Sequence, residues 1–314
     1  EHLLKLGVRF DMNPDGSLNY TREGAHSRPR ICFHKDITGK EITTVLQKRV
    51  RELPNVTVME FTAMTDILVS GGACTGMIAK TEKGEILHIH TRDTVMATGG
   101  IGGLYEHSTN FPCLTGDALA IAKKYGVELE NMDYVQIHPT SLYSEKPGRS
   151  FLISESARGE GAVLLNGRGE RFVDELLPRD VVTKAIHAEM EREGSRHVWL
   201  SFEPVGEAQI RNHFPNIYRR CLEEGYDITK EPIPVVPAQH YFMGGIHVDC
   251  NSRTTMDHLY AVGETSCNGV HGKNRLASNS LLESLVFAQR AAASMAEGRK
   301  GSIKYESNYH AACC

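Results

Sequence analysis

The stretch from His271 to Glu283 has residue types that could bind an anionic or electron-rich ligand. It follows a short apolar run, Leu259 to Val262, which ends in Gly263-Glu264 and predicts a buried strand. A second apolar run, Leu281 to Ala288, predicts a helix that Ser278, Asn279 or Ser280 could cap. A helix start presents free backbone N–H groups and the positive end of the helix dipole to an anion. The same local pattern would also fit a strand, a loop and a capped helix without chemistry.

A second candidate ligand site follows the run Thr94 to Gly100, which predicts a buried strand ending in glycines. Glycines allow close backbone approach to a ligand, at the strand end where open α/β sheets bind theirs. Asp117 opens a predicted helix shortly afterwards, where its carboxylate could simply complement the helix dipole. Glycine-rich turns after strands are common, so this segment is weak evidence by itself.

The order of these segments resembles the fumarate reductase and succinate dehydrogenase flavoprotein superfamily, and most closely its L-aspartate oxidases. The resemblance includes Gly263-Glu264 and the run His271 to Ser280, and it covers roughly residues 1 to 295. Three further segments match in the same order, namely Phe151 to Gly161, Leu177 to Val182 and Pro237 to Gly245. The resemblance implies an α/β fold, in which an α+β capping domain is inserted into a Rossmann-like FAD-binding domain.

The resemblance also implies which residues carry the chemistry. Arg179 would transfer a proton, Glu155 would be next in the relay, and His240 and Arg275 would complete the catalytic set. The residues expected to hold the two carboxylates of a small diacid are His138, Ser154, His240 and Arg275. Arginine forks bind carboxylates bidentately, which would fix the substrate in one orientation.

Glu23 is the expected specificity residue. On pattern alone it lies in a solvated loop, but L-aspartate oxidases carry a similar segment whose glutamate faces the α-ammonium group of the substrate. A carboxylate there would distinguish an amino diacid from succinate by charge pairing.

The cofactor implied by the resemblance is FAD. The residues expected to contact it are Ala63, Met64, Thr98, Gly99, Gly100, Asp117, Glu264, Ser280 and Leu281.

Hydrophobic periodicity gives the elements that must position these residues. An amphipathic helix is predicted over Thr38 to Leu53 and another from Asp180. The predicted strands of a small antiparallel excursion are Val56 to Glu60, Asp66 to Val69, Gly76 to Lys80 and Ile86 to His90. Later predictions are a strand from His197 to Phe202 and one helix from Gly206 to Glu224. The expected division is an FAD-binding domain (1–131 and 243–314) interrupted by the capping domain (132–242).

Composition excludes several classes of partner. The 314 residues carry a formal net charge of −4 and no block of basic residues, which argues against nucleic acid. No apolar run approaches the roughly 20 residues that cross a bilayer. The eight cysteines form no CxxC pair, so we expect no metal site, and a reducing compartment, the cytoplasm, is predicted. The chain opens at Glu1 and has no GxGxxG turn, which predicts a fragment lacking the N-terminal part of the FAD-binding domain and a C-terminal helical domain.

The expected function is FAD-dependent oxidation of L-aspartate to iminoaspartate, with oxygen or fumarate as electron acceptor, in NAD biosynthesis. Quinolinate synthase is the partner that the resemblance implies. Two alternatives remain at this point: a flavoprotein subunit of fumarate reductase or succinate dehydrogenase, and a truncated chain without catalytic activity.

Overall fold

The computed structural model describes residues 1–23 and 26–297. The helices in these residues are α1 (His2–Leu6), α2 (Thr38–Arg51), α3 (Asp117–Lys124), α4 (Glu155–Gly159), α5 (Arg179–Glu193), α6 (Glu207–His213), α7 (Pro215–Glu223) and α8 (Asn279–Glu297). The strands are β1 (Tyr20–Thr21), β2 (Ile31–Cys32), β3 (Thr62–Ser70), β4 (Ala73–Thr81), β5 (Ile86–His90), β6 (Thr94–Met96), β7 (Leu129–Glu130), β8 (Val135–Leu142), β9 (Val163–Leu165), β10 (Val198–Ser201), β11 (Ile233–Phe242), β12 (Gly245–His247), β13 (Leu259–Ala261) and β14 (Ser266–Cys267).

Two strands expected near the ligand, β6 and β13, pair in parallel, with Thr94 opposite Leu259 and Met96 opposite Ala261. The carboxyl ends of parallel strands meet at one edge of a sheet, so the glycines after both strands come together there. Met96 and Ala261 belong to a buried apolar cluster that also includes residues of α3, β3 and β12. This packing confirms both predicted strands.

The antiparallel excursion consists of β3, β4 and β5 in that order, which confirms three of its four predicted strands. The prediction of a strand over Val56 to Glu60 is wrong. Val56 and Val58 are exposed, and the turn before β3 ends at Phe61, whose φ is +51°. A strand needs a neighbour to satisfy its backbone hydrogen bonds, and none pairs with this stretch in the described residues.

A second layer contains the four-stranded sheet β8–β11–β10–β9 with α4, α5, α6 and α7. Its buried apolar cluster runs from Leu142 to Val235 along the chain, apart from the cluster around β6 and β13. The strand predicted from His197 is confirmed as β10. Two separate clusters fit the predicted division of the chain at residues 132 and 242, which stays a prediction. Residues 298–314 of its last part lie outside the described residues.

The single helix predicted from Gly206 to Glu224 is wrong, because the structure divides it into α6 and α7 at Phe214. Pro215 follows, and a proline inside a helix removes a hydrogen bond and clashes with the preceding turn. Pro215 instead occupies the first turn of α7, where its missing N–H costs nothing.

The remaining predicted helices are confirmed. α2 ends at Arg51, two residues before the predicted end, while α5 begins at Arg179 and α8 at Asn279. Among the helices of the described residues, none combines the length and the apolarity required to cross a membrane.

Candidate active site

A buried carboxylate, that of Glu155 at the start of α4, lies between two guanidinium groups. Its Oε2 accepts a hydrogen bond from Arg179 Nε at 2.7 Å, and its Oε1 accepts one from Arg158 Nη2. Burial alone would favour the neutral acid, but the charges of Arg179 and Arg158 hold the pKa of Glu155 below its usual value. The structure therefore joins Glu155 and Arg179 as expected and adds Arg158, which sequence analysis did not assign.

Gln136 connects Arg179 to Arg275. Its side-chain oxygen accepts a hydrogen bond from Arg179 Nη1 at 2.9 Å, and its Nε2 donates to the backbone oxygen of Arg275 at 2.7 Å. One amide thus holds the start of α5 against the loop before α8. Sequence analysis did not find Gln136, although its spacing from His138 would put both side chains on one face of β8.

Two histidines, His138 and His240, lie beside this charged group. Ala238 on β11 pairs with His138 on β8, and the two imidazole rings meet edge to face with centroids 5.1 Å apart. His138 Nε2 is 3.5 Å from Glu155 Oε2. Burial, and then the charge of Arg179, lowers the pKa of both histidines well below the usual value. Both rings are therefore neutral at pH 7.

Arg275 is 4% exposed, and not all of its N–H groups have a hydrogen-bond acceptor in the described residues. Its Nη1 donates to the backbone oxygen of Leu276 at 3.2 Å, whereas its buried Nε has no partner in this part of the chain. The guanidinium carbon lies 4.7 Å from the centroid of the Tyr241 ring. Burial and the nearby charge of Arg179 lower the pKa of Arg275 to about 10, so it stays cationic at neutral pH. Arg275 is a cation poised to bind an anion.

Glu23 reaches this group from the N-terminal part of the chain. Its Oε2 accepts a hydrogen bond from Ser278 Oγ at 2.8 Å, three residues after Arg275. Burial raises the pKa of Glu23, while Ser278 and the charge of Arg179 oppose that shift. Glu23 therefore lies in the same charged environment as Arg179 and Arg275.

Ser154 uses its hydroxyl locally in this structure. Its Oγ caps α4 by accepting from the backbone N–H of Ser156 at 3.3 Å, and it also contacts the Ser156 hydroxyl at 2.6 Å. This cap places Glu155 at the first position of the helix. A contact of Ser154 with substrate stays a prediction.

The glycine-rich end of β6 lies against the end of β13, where an FAD molecule was expected. Gly99 has a φ of +75°, and a Cβ on Gly100 would lie 2.3 Å from Glu264 Oε1. Thr98 Oγ1 donates to Thr265 Oγ1 at 2.9 Å across the two strand ends. A side chain at Gly100 would force Glu264 to move, so glycine allows the close approach of Glu264 to the backbone there.

The N-terminus of α8 completes this edge. The backbone N–H groups of Ser280 and Leu281 donate to no backbone oxygen in the described residues. They start a helix of 19 residues, so they can bind an anionic or electron-rich group. The residues around the strand ends and the α8 terminus therefore fit an FAD molecule.

For three of the residues expected to contact FAD, the structure shows contacts within the protein only. Ala63 and Met64 pair with Lys80 and Ala79 inside the antiparallel sheet. Asp117 begins α3 and accepts a hydrogen bond from Thr115 Oγ1 at 2.9 Å. Their contact with FAD stays a prediction. The described residues contain no group of three or more histidine, cysteine or acidic side chains that could hold a metal ion.

Glu264 provides a pH-dependent test of this edge. Burial raises the pKa of Glu264 to about 7 from 4.5, although its Oε1 accepts a hydrogen bond from the Phe242 N–H at 2.9 Å. The folded state keeps this proton at pH values where the unfolded chain releases it, so the protein should lose stability as pH rises from about 5 to about 7. Glu264→Gln keeps the hydrogen-bond acceptor, and its free energy of unfolding should fall less between the two pH values. Urea unfolding of both proteins at each pH measures this difference. Equal losses in the two proteins would show that Glu264 does not hold the proton.

A family model described as "FAD binding domain" matches residues 1–281. The sequence is 52% identical to the L-aspartate oxidase of Clostridium perfringens, over 92% of this chain and 66% of that protein. It is 50% identical to the L-aspartate oxidase of Clostridium acetobutylicum, over 92% of this chain and 67% of that protein.

Among solved structures, the fold is similar to the FrdA chain of E. coli quinol fumarate reductase. The TM-score is 0.87 at 34% identity, over 96% of this chain and 56% of that chain. The chain spans about two thirds of the length of the two clostridial relatives (66% and 67%) and a little more than half of FrdA.

Proposed function

This chain belongs to the FAD-binding domain family of flavoproteins, and we propose that it oxidises L-aspartate to iminoaspartate in the biosynthesis of NAD. The observation that carries the proposal is that the charged and imidazole side chains expected at the site lie close together, with Gln136 hydrogen-bonded to two of the residues. These side chains are Arg179, Arg275, His138, His240 and Glu23. The high identity to two L-aspartate oxidases supports it.

The charges of the site suit an amino diacid. Arg158 pairs with Glu155 and lies near Glu175, whereas Arg179 Nη2 and Arg275 Nε have no hydrogen-bond partner in the described residues. Unpaired donors in a buried place are costly, so a ligand that brings carboxylates is favoured there. Because Glu23 is a carboxylate within reach of the same cations, it can pair with an ammonium group on that ligand.

The family model confirms FAD as the expected cofactor. When bound, FAD supplies the acceptor for the hydride that leaves the substrate Cα. We propose that the ends of β6 and β13, with Glu264 and the N–H groups that start α8, hold it. These elements would be part of a Rossmann-like FAD-binding domain, with residues 132–242 as the inserted capping domain.

In this proposal the site residues have separate roles. Arg275 and His240 bind one carboxylate of the diacid, and His138 and Ser154 bind the other. Glu23 pairs with the α-ammonium group. When fumarate is reduced, Arg179 donates the proton, with Glu155 next in the relay; when L-aspartate is oxidised, the charge of Arg179 positions the substrate. Because the ligand is held at several points, its Cα–Cβ bond is fixed in one orientation, which is where much of the rate enhancement would arise.

Arg179 has a geometry suited to this role. Its Nε donates to Glu155 and its Nη1 donates to Gln136, while Nη2 makes no hydrogen bond in the described residues. The side chain is thus held rigidly by two partners and keeps one nitrogen for the substrate. Donation of a proton to fumarate suits a guanidinium group, because arginine is protonated at neutral pH.

A second candidate function is that of a fumarate reductase flavoprotein, which the similarity to FrdA favours. The two functions differ in substrate, because a carboxylate at Glu23 favours an ammonium-bearing diacid over succinate. Quinolinate synthase as partner and a cytoplasmic location also belong to the proposal.

The experiment is anaerobic reduction of the flavin in the FAD-loaded protein. L-aspartate should bleach the absorption band expected near 450 nm for bound flavin, while succinate at the same concentration leaves it unchanged. Bleaching by succinate instead would support the fumarate reductase function. A protein that binds FAD and is bleached by neither would contradict both.

A further inference from the structure

Thr109 is a buried residue in contact with His240, and it has no role in the proposed function. Its side-chain oxygen lies 2.7 Å from His240 Nδ1, and the residue is 2% exposed. The segment around it is fixed to β11: Thr109 N donates to the Gln239 oxygen at 2.9 Å, and Asn110 Nδ2 donates to the His240 oxygen at 3.2 Å. The hydroxyl therefore has a fixed position beside the ring.

The single proton of this hydroxyl has two acceptors within reach. One is His240 Nδ1 at 2.7 Å, and the other is the Gln239 oxygen at 3.3 Å. That oxygen already accepts the Thr109 N–H, and it is the more distant of the two. The shorter distance favours a proton that points to Nδ1, which then acts as the acceptor. In a neutral imidazole the ring proton is then on Nε2.

The groups facing the ring make this choice important. His138 meets His240 edge to face, and burial of His240 and then the charges of Arg179, Arg275 and Arg149 disfavour its protonation. His240 therefore cannot attract an anion by its own charge. It can bind a carboxylate only by donating a hydrogen bond, and a bare nitrogen lone pair at Nε2 would repel that carboxylate.

We propose that Thr109 is a positioning residue that holds His240 in its Nε2–H tautomer, and so makes the ring a hydrogen-bond donor to one carboxylate of a diacid. The tautomer assignment depends on the local geometry alone, whereas its use in diacid binding rests on the proposed function. Thr109 itself touches neither substrate nor cofactor in this assignment.

The first test is ¹⁵N NMR of the FAD-loaded protein labelled at its histidines, since the two ring nitrogens differ in shift according to which one carries the proton. We expect Nε2–H at His240 in the unsubstituted protein and in Thr109→Ser, which keeps the hydroxyl. Thr109→Val should lose that preference. The control is Thr183→Val, the same change at a buried hydroxyl that has no hydrogen-bond partner in the described residues. It should leave His240 unaffected.

The second test is titration of the oxidised protein with fumarate, followed by the flavin spectrum. Thr109→Val should weaken fumarate binding by roughly tenfold or more, because a hydrogen bond to a charged group is lost. Thr109→Ser should bind fumarate as the unsubstituted protein does. The FAD content should be equal in all variants.

An Nδ1–H tautomer in the unsubstituted protein would overturn the proposal, as would Thr109→Val with an unchanged tautomer. If the tautomer changes as expected but fumarate binds equally to both proteins, the role in diacid binding is overturned. If the unsubstituted protein shows Nε2–H and binds no diacid, the proposed function fails while the tautomer assignment stands. If Thr109→Val does not fold, Thr109→Ser and the unsubstituted protein still decide the tautomer.

Discussion

Arg179→Leu is expected to lower the rate of fumarate reduction by roughly 10²–10⁴-fold while FAD remains bound, because a positioned proton donor contributes about that much. The guanidinium is fixed by Glu155 and Gln136, and leucine can replace neither hydrogen bond. Six of the nine predicted FAD contacts lie at the ends of β6 and β13 and at the start of α8, and Arg179 is not among the nine, so the cofactor should not depend on Arg179. Steady-state turnover and the FAD-to-protein absorbance ratio measure the two quantities.

The matched control is Arg192→Leu, the same change on the same helix. The Arg192 side chain is 54% exposed and pairs with Glu189, so its loss should leave turnover within about twofold, as for most surface changes. Loss of FAD in Arg179→Leu would assign the residue a structural role. Full activity in that variant would remove it from the mechanism.

Glu23→Gln is expected to weaken L-aspartate oxidation by roughly 10–100-fold and fumarate reduction far less, because only the amino diacid presents an ammonium group to the carboxylate. Glutamine keeps the shape and can still accept the hydrogen bond from Ser278. The change therefore removes charge and little else. The measurement is kcat/KM for each substrate with the same preparation.

Glu52→Gln provides the control, because Glu52 is a surface carboxylate that pairs with Arg49 at 3.0 Å. It should alter neither activity. An equal decrease of both activities in Glu23→Gln would mean that Glu23 supports the site as a whole and does not select the substrate.

The strongest sequence patterns predicted the local structure correctly. The parallel strands at Thr94 and Leu259 and the helix from Asn279 were recognisable because apolar runs and capping residues are encoded over a few positions. The helix break at Pro215 was also encoded locally, and the prediction missed it by placing proline inside a helix. The strand over Val56 to Glu60 failed for another reason, since apolar alternation cannot show whether a neighbouring strand exists.

The site was predictable only in part. Charged and ring-bearing residues such as Glu155, Arg179 and His240 stand out by type, and the resemblance placed them in one group. Gln136 and Thr109 do not stand out by type, because an amide and a hydroxyl have many possible partners. Their partners here, Arg275 and His240, are 139 and 131 positions away in the sequence. Such contacts are set by how β8 and β11 pair, which no local pattern contains.

The central claim is that the site side chains, which are far apart in the sequence, bind one small diacid beside the flavin. A crystal structure of the FAD-loaded protein with fumarate would test it most directly. We expect one carboxylate of fumarate within hydrogen-bond distance of Arg275 and His240, and the other near His138 and Ser154. Arg179 Nη2 should be directed at the carbon–carbon double bond that lies between the two carboxylates. Fumarate bound away from Arg275, or Arg179 turned towards a separate region, would contradict the account.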